Sequence, residues 1–207
     1  MLDRDALREI SATTLAHYDG SAASFWEGTR DHDVSQNIQA LLRHLAPGRR
    51  RILDFGCGPG RDLAAFTALG HEAVGLEGAP NFVAMARQHT GCEVLQQDFL
   101  ALDLPPDAFD GVFANASIFH VPAQELPRVL GELRSALRAD GVFFASNPHG
   151  ANEEGWNRGR YGTYLDAPTW RGVVSAAGFT EIEHYYRPPG LPRAQQPWLA
   201  TVWRKRA

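Results

Sequence analysis

Ile52-Leu53-Asp54-Phe55-Gly56-Cys57-Gly58-Pro59-Gly60-Arg61-Asp62 is the stretch whose reading decides the fold. Ile52, Leu53 and Phe55 read as the end of a buried strand, with Asp54 near its C-terminal edge. Gly56, Gly58 and Gly60 follow at every second position, and from Asp62 the apolar residues Leu63, Ala64, Phe66, Ala68 and Leu69 take helical spacing. A strand, a glycine-rich turn and a helix opening bring a ligand against bare backbone, because glycine has no Cβ to hold it away. A dinucleotide fingerprint wants a third glycine three residues after the second, where this chain has Arg61. Taken alone, the stretch fits either a ligand turn or a plain tight turn.

Working outward, strands and helices alternate. The helix over 62–69 stops at Gly70, and a strand over 71–76 ends at Glu77, 23 positions past Asp54. That is close to the roughly 20-residue offset at which a strand-end carboxylate reaches a ribose diol. Pro80 to Thr90 reads as a helix with proline at its start, and Cys92 to Leu95 as a short strand before Gln96-Gln97-Asp98-Phe99. Phe109-Asp110-Gly111-Val112 opens a further strand, with Asn115, Ala116 and Ser117 at its rim and His120 in the following loop. An amphipathic helix over 123–138 ends at Asp140-Gly141, Val142 to Ser146 is a buried strand, and 147–162 has no apolar period and reads as a loop. A helix over 168–177 precedes two last strands, 179–186 and 198–204; the proline-rich 188–197 between them makes a long hairpin, so one terminal strand runs antiparallel. Before the glycine turn, 3–17 has helical spacing, 18–37 mixes polar and aromatic residues, and Ser35 to Leu45 reads as a helix ended by Pro47-Gly48.

Composition narrows the class. At 207 residues one domain is the expectation, long enough for an α/β core covered on both faces. A formal net charge of -4 without a long basic run argues against nucleic acid or an anionic membrane as an obligatory partner. Two cysteines, Cys57 and Cys92, make no disulfide framework, and no apolar run approaches a membrane span, so a cytoplasmic location is expected. The eight histidines show no ligand spacing, and Asp31-His32-Asp33 is too contiguous to converge on one ion, so no metal site is implied.

The glycine turn preceded by Asp54, the strand-end Glu77, the Asp98-Phe99 segment and the Phe109-Asp110 strand stand in the order and spacing of one family. Together they resemble the class I (Rossmann-like) S-adenosylmethionine-dependent methyltransferases of the small-molecule type, over about residues 50–205. The resemblance implies a seven-stranded, mostly parallel sheet with one antiparallel terminal strand and helices on both faces. It implies a single domain over 1–207, with 1–48 a helical cap and 49–207 the Rossmann-like core. It also implies the cofactor S-adenosyl-L-methionine, with S-adenosyl-L-homocysteine as product. Asp54, Gly56, Cys57, Gly58 and Gly60 would line the methionine end, Glu77 and Gly78 the ribose, Asp98 and Phe99 the adenine, with Tyr18 and Asn115 completing the pocket.

For the acceptor, a base matters only if a proton is lost at or before attack, and His120, His32 and Tyr161 are the catalytic candidates. The histidines have plainer readings: His120 bonded to a backbone carbonyl, His32 a surface histidine between two acids. Arg158, Arg160 and Tyr164 are the substrate-binding candidates, with Arg187 and Arg193 beside them, because arginine pairs bidentately with carboxylate. The acceptor is thus expected to be a small carboxylate-bearing or amino-acid-like metabolite, methylated on N, O or S. Two other readings stay open: an NAD(P)-dependent oxidoreductase, against which Arg61 and the Asp98 segment speak, and a catalytically silent cofactor-binding subunit.

Overall fold

The computed structural model describes residues 1–206. Nine strands and seven α-helices follow one another as α1 (Arg4–Gly20), α2 (Ala22–Thr29), α3 (Ser35–Leu42), β1 (Arg51–Phe55), α4 (Arg61–Ala68), β2 (Glu72–Glu77), α5 (Pro80–Thr90), β3 (Glu93–Gln96) and β4 (Phe109–Asn115). The chain continues as α6 (Leu126–Ala136), β5 (Leu137–Pro148), β6 (Glu153–Asn157), β7 (Arg160–Tyr164), α7 (Ala167–Ala176), β8 (Phe179–Arg187) and β9 (Trp198–Lys205).

Seven strands make one sheet in the order β3-β2-β1-β4-β5-β9-β8, parallel except for β9, which runs antiparallel to both β5 and β8. The expected seven-stranded α/β architecture is therefore present. Alternation along the strands sends side chains to two layers. On one face Leu53, Phe55, Val112 and Phe143 pack against Val129, Leu133 and Trp170 of α6 and α7. On the other, Ile52, Phe113, Phe144 and Val202 pack against Ile38 and Leu41 of α3, Leu63 and Phe66 of α4, and Val83 of α5. α3 thus belongs to a core layer, and the N-terminal portion that overlies the strand ends is α1 and α2.

One expectation is corrected. The segment 147–162 is not a plain loop: β6 and β7 form a separate antiparallel hairpin. Its two-residue turn places Arg158 (φ 51°) and Gly159 (φ 82°) both in the left-handed region, the geometry a tight hairpin demands. The mixed segment 18–37 contains α2, which turns Phe25 and Trp26 toward the strand ends. Smaller shifts are that α6 stops at Ala136, and that β5 begins before the Asp140-Gly141 turn, with a register shift between Phe109 and Gly111.

The strand order reverses between β1 and β4, so the connections leaving them run to α4 on one face and α6 on the other and leave a crevice beyond the C-terminal strand ends.

Candidate active site

The crevice holds two adjoining cavities. The first, about 670 Å³ with its mouth included, is walled by Ile10, Ser11, Thr14 and Leu15 of α1 on one side, and by Gly56, Glu77, Asp98 and Phe99 on the other. The second, about 1600 Å³, is more open and carries Trp26, His32, Arg160, Arg187, Phe119 and Trp198. Tyr18, Phe25, Gly56, Gly58 and Ala116 line both.

The glycine turn is shaped by close approach. A Cβ on Gly56 (φ 78°) would lie 2.4 Å from Ser117 Cβ and 3.0 Å from Phe99 Cζ, so only glycine lets the β1 and β4 loops meet there. Gly58 (φ 51°) has open space beside it, 3.8 Å from the Phe25 ring. Gly60 serves packing: its Cβ would meet Ala86 Cα of α5 at 3.0 Å, and it lines neither cavity.

Four acidic groups surround this turn. Glu77 is buried and accepts from the backbone N–H groups of Gly58 (3.1 Å), Gly78 (2.8 Å) and Ala79 (2.9 Å). Burial raises its pKa, and these amides partly offset that. Asp54 is 2% exposed, and its Oδ2 has no hydrogen-bond partner. Desolvation, then the nearby Asp62 and Glu77 charges, hold its carboxyl well above the usual range. Asp62 is neutralised by Arg61, whose Nε and Nη2 donate to its two oxygens (2.6 and 3.0 Å). Asp98 accepts from Leu100 N (2.8 Å) and from Ser11 Oγ of α1 (2.5 Å).

His120 sits between two partners. Its Nδ1–H donates to the Tyr161 carbonyl (2.5 Å), which leaves Nε2 to accept from the Tyr18 hydroxyl (2.7 Å). Burial drives its pKa down to about 4, so the ring is neutral at pH 7. Arg160 Nη1 donates to the same Tyr18 oxygen (3.3 Å), and burial raises the Tyr18 pKa. A second chain floors the larger cavity: Tyr185 donates to Asn37 (2.9 Å), Asn37 to Asn115 (2.9 Å) and Asn115 to Asp62 (3.0 Å).

Among the sequence candidates, Tyr18, Gly56, Gly58, Glu77, Asp98, Phe99 and His120 come together around the first cavity, and His32, Cys57, Asn115 and Arg160 around the second. Asp54 lies beneath the turn, and Gly78 is covered by Leu15 of α1, 2.5 Å from where a Cβ would stand. Three candidates are displaced. Tyr161 turns its ring edge-on to Trp156, and burial and the nearby Glu154 carboxylate push its pKa up to about 12. Arg158 is exposed at the hairpin tip, and the Tyr164 hydroxyl accepts from Asn157 of the same hairpin (3.4 Å). None of the three lines either cavity. Arg193 also stands apart, stacked on Tyr186 at 3.5 Å. Ser11, Asn37, Asp62 and Trp198 were not expected in the site; Asp62 stands there as the second residue of α4, and the other three reach it through tertiary contacts.

The fold and crevice define a Rossmann-like α/β protein with a ligand site at the strand-order reversal. Residues 52–141 match the family model described as a methyltransferase domain. The chain is 31% identical over 137 residues to a sterol 24-C-methyltransferase of Yarrowia lipolytica, covering 61% of this chain and 33% of that protein. It is 29% identical over 141 residues to a malonyl-[acyl-carrier protein] O-methyltransferase of Erwinia pyrifoliae, covering 64% and 53%. The chain spans between 26% and 53% of the length of such curated relatives. Its fold is similar to that of the Burkholderia thailandensis 1,6-didemethyltoxoflavin-N1-methyltransferase, crystallised with 1,6-didemethyltoxoflavin and S-adenosylhomocysteine. The TM-score is 0.80 at 22% identity, covering 100% of this chain and 93% of that one. Among the described residues no three His, Cys, Asp or Glu are grouped to hold a metal ion, and no helix is long and apolar enough to cross a membrane.

Proposed function

We propose that the chain is an S-adenosylmethionine-dependent methyltransferase, working in the cytosol on N, O or S of a small carboxylate-bearing or amino-acid-like metabolite. The observation that carries this is the first cavity: two carboxylates, Glu77 and Asp98, on neighbouring strand edges, with bare backbone at Gly56 and Gly58 between them and the second cavity. These residues fit the cofactor. Glu77 keeps about one acceptor site, on Oε2, for a ribose hydroxyl beyond its three amide bonds, and Asp98 keeps capacity for an adenine amino group beyond Ser11 and Leu100. Asp54 Oδ2 has no partner beneath the turn, and the positive charge of a bound cofactor on the other side would favour its ionised form.

When bound, that cofactor supplies an activated methyl group, so the protein's task is alignment and exclusion of water. Holding two reactants in line can account for ~7–11 kcal/mol of barrier. The shared wall of Tyr18, Phe25, Gly56, Gly58 and Ala116 is the one boundary between the cavities, and α1 closes it from above through Ser11 and Tyr18. His120 positions Tyr18 in the neutral state, and Arg160 with Arg187 gives the second cavity its affinity for an anion.

Calorimetry with S-adenosylhomocysteine, S-adenosylmethionine and NADH tests the cofactor. Binding of the first two and not the third is expected, with loss in E77Q and D98N. Screening acceptor pools for S-adenosylhomocysteine release then tests turnover. Heat with NADH alone, or none with any of the three, overturns the reading.

A further inference from the structure

We infer that the second cavity is built for a planar aromatic carboxylate, with Arg187 as its anchor and specificity-determining residue; this deepens the methyltransferase reading by naming the class of acceptor. Its walls are rings: Phe25, Trp26, Phe119 and Trp198. Two of these are fixed by neighbours, Trp26 stacked on His89 at 4.5 Å and Phe119 set edge-on to Trp198. Rings held in place present flat apolar faces, which favour a flat π-system over a flexible chain of equal size.

The polar end is Arg187, at the end of β8. Its Nη2 donates to the Asp33 carbonyl (3.0 Å), while its Nε is buried with no partner at all. The enclosed Nε marks a guanidinium that the protein only partly satisfies, and its Nη1, which has no partner in the protein, is the donor a carboxylate can meet in the plane of the group. The other cations of the cavity differ in how far they are engaged. Arg61 is held by Asp62 and the Thr29 carbonyl (3.1 Å), and Arg160 gives one N–H to Tyr18. Three arginines face two acids, and of those Asp62 is neutralised by Arg61 while Asp33 is exposed and turned to Ser35 N (2.9 Å). The cavity therefore keeps a net positive charge, with Arg160 and Arg187 as the cations not neutralised by Asp62.

The test uses the full chain saturated with S-adenosylhomocysteine and titrated with 2-naphthoate, 2-naphthalenemethanol and cyclohexanecarboxylate, read by calorimetry and tryptophan quenching. Naphthoate is expected to bind at least tenfold more tightly than either comparator. R187Q should abolish the preference for naphthoate over the alcohol, R187K should keep part of it, and both should hold S-adenosylhomocysteine as the parent does, which shows that they fold. Equal binding of acid and alcohol overturns the anchor, and equal binding of naphthoate and cyclohexanecarboxylate overturns the aromatic slot. Weakened S-adenosylhomocysteine binding in R187Q would assign Arg187 to the cofactor's own carboxylate and overturn the proposal. Should the parent fail to bind S-adenosylhomocysteine, the same titrations on the free protein still decide the carboxylate preference, so the two readings fail separately.

Discussion

Replacing Gly56 by alanine tests the meeting of the β1 and β4 loops directly. A non-glycine residue at φ 78° carries a conformational penalty of ~1–2 kcal/mol. The new methyl would stand 2.4 Å from Ser117 Cβ, and Ser117 cannot easily retreat because its hydroxyl donates to the Phe55 carbonyl at 2.5 Å. Overpacking of this kind costs ~1–3 kcal/mol, so the sum is about 2–5 kcal/mol. At ~2–4 °C per kcal/mol for a chain of this size, the melting temperature should fall by about 4–20 °C. Gly58, two residues on, provides the control. Its φ of 51° carries the same conformational penalty, but its nearest neighbours are 3.8 and 4.0 Å away, so G58A should lose only about 2–8 °C. Thermal melts and urea unfolding of both variants measure the difference. If G58A lost as much stability as G56A, contact with Ser117 would not be what requires glycine at position 56.

His120 has its pKa depressed to about 4 in the fold, against an unfolded value near 6.5, so the folded state binds fewer protons between those limits. Its contribution is fully present above about pH 6.5 and lost as pH falls toward 4, at most about 3 kcal/mol. Urea midpoints at pH 7.5 and 5.0 should therefore converge in H120Q relative to the parent, and nitrogen NMR should find the Nδ1–H tautomer. Asp54 has a raised pKa, so its ionised form opposes folding at neutral pH: D54N should melt higher at pH 7 while binding S-adenosylhomocysteine more weakly, as calorimetry would read. Removing the Ser11 hydroxyl should cost about 1–3 kcal/mol of α1 docking, seen as faster amide exchange over 4–20 with β1 unaffected.

Much of the sheet is legible because its signals are local. Glu77 ends an apolar run at a fixed distance from Asp54, and the glycine turn announces its own geometry. What escapes is carried by contacts distant in sequence. Ser11 meets Asp98 across 87 positions and Tyr18 meets His120 across 102, and no periodicity in α1 marks either. The β6–β7 hairpin hides because one of its two left-handed turn positions is Arg158, a residue type that seldom adopts that conformation. Arg158 and Arg187 look alike in the sequence. Only the turn that throws one to the hairpin tip, and the strand that ends with the other in the cavity wall, tell them apart.

The position of β9 has a consequence for synthesis. Edge strand β8 has β9 as its only neighbour in the sheet, and β9 is made later and wedges in beside β5 with Trp203 wholly enclosed. A ribosome that has delivered residues 1–187 has supplied five parallel strands able to assemble, but the sixth must wait unpaired beside an open edge of β5. Until residues 198–205 emerge, that gap is the place where a nascent chain could recruit a stray strand from another molecule.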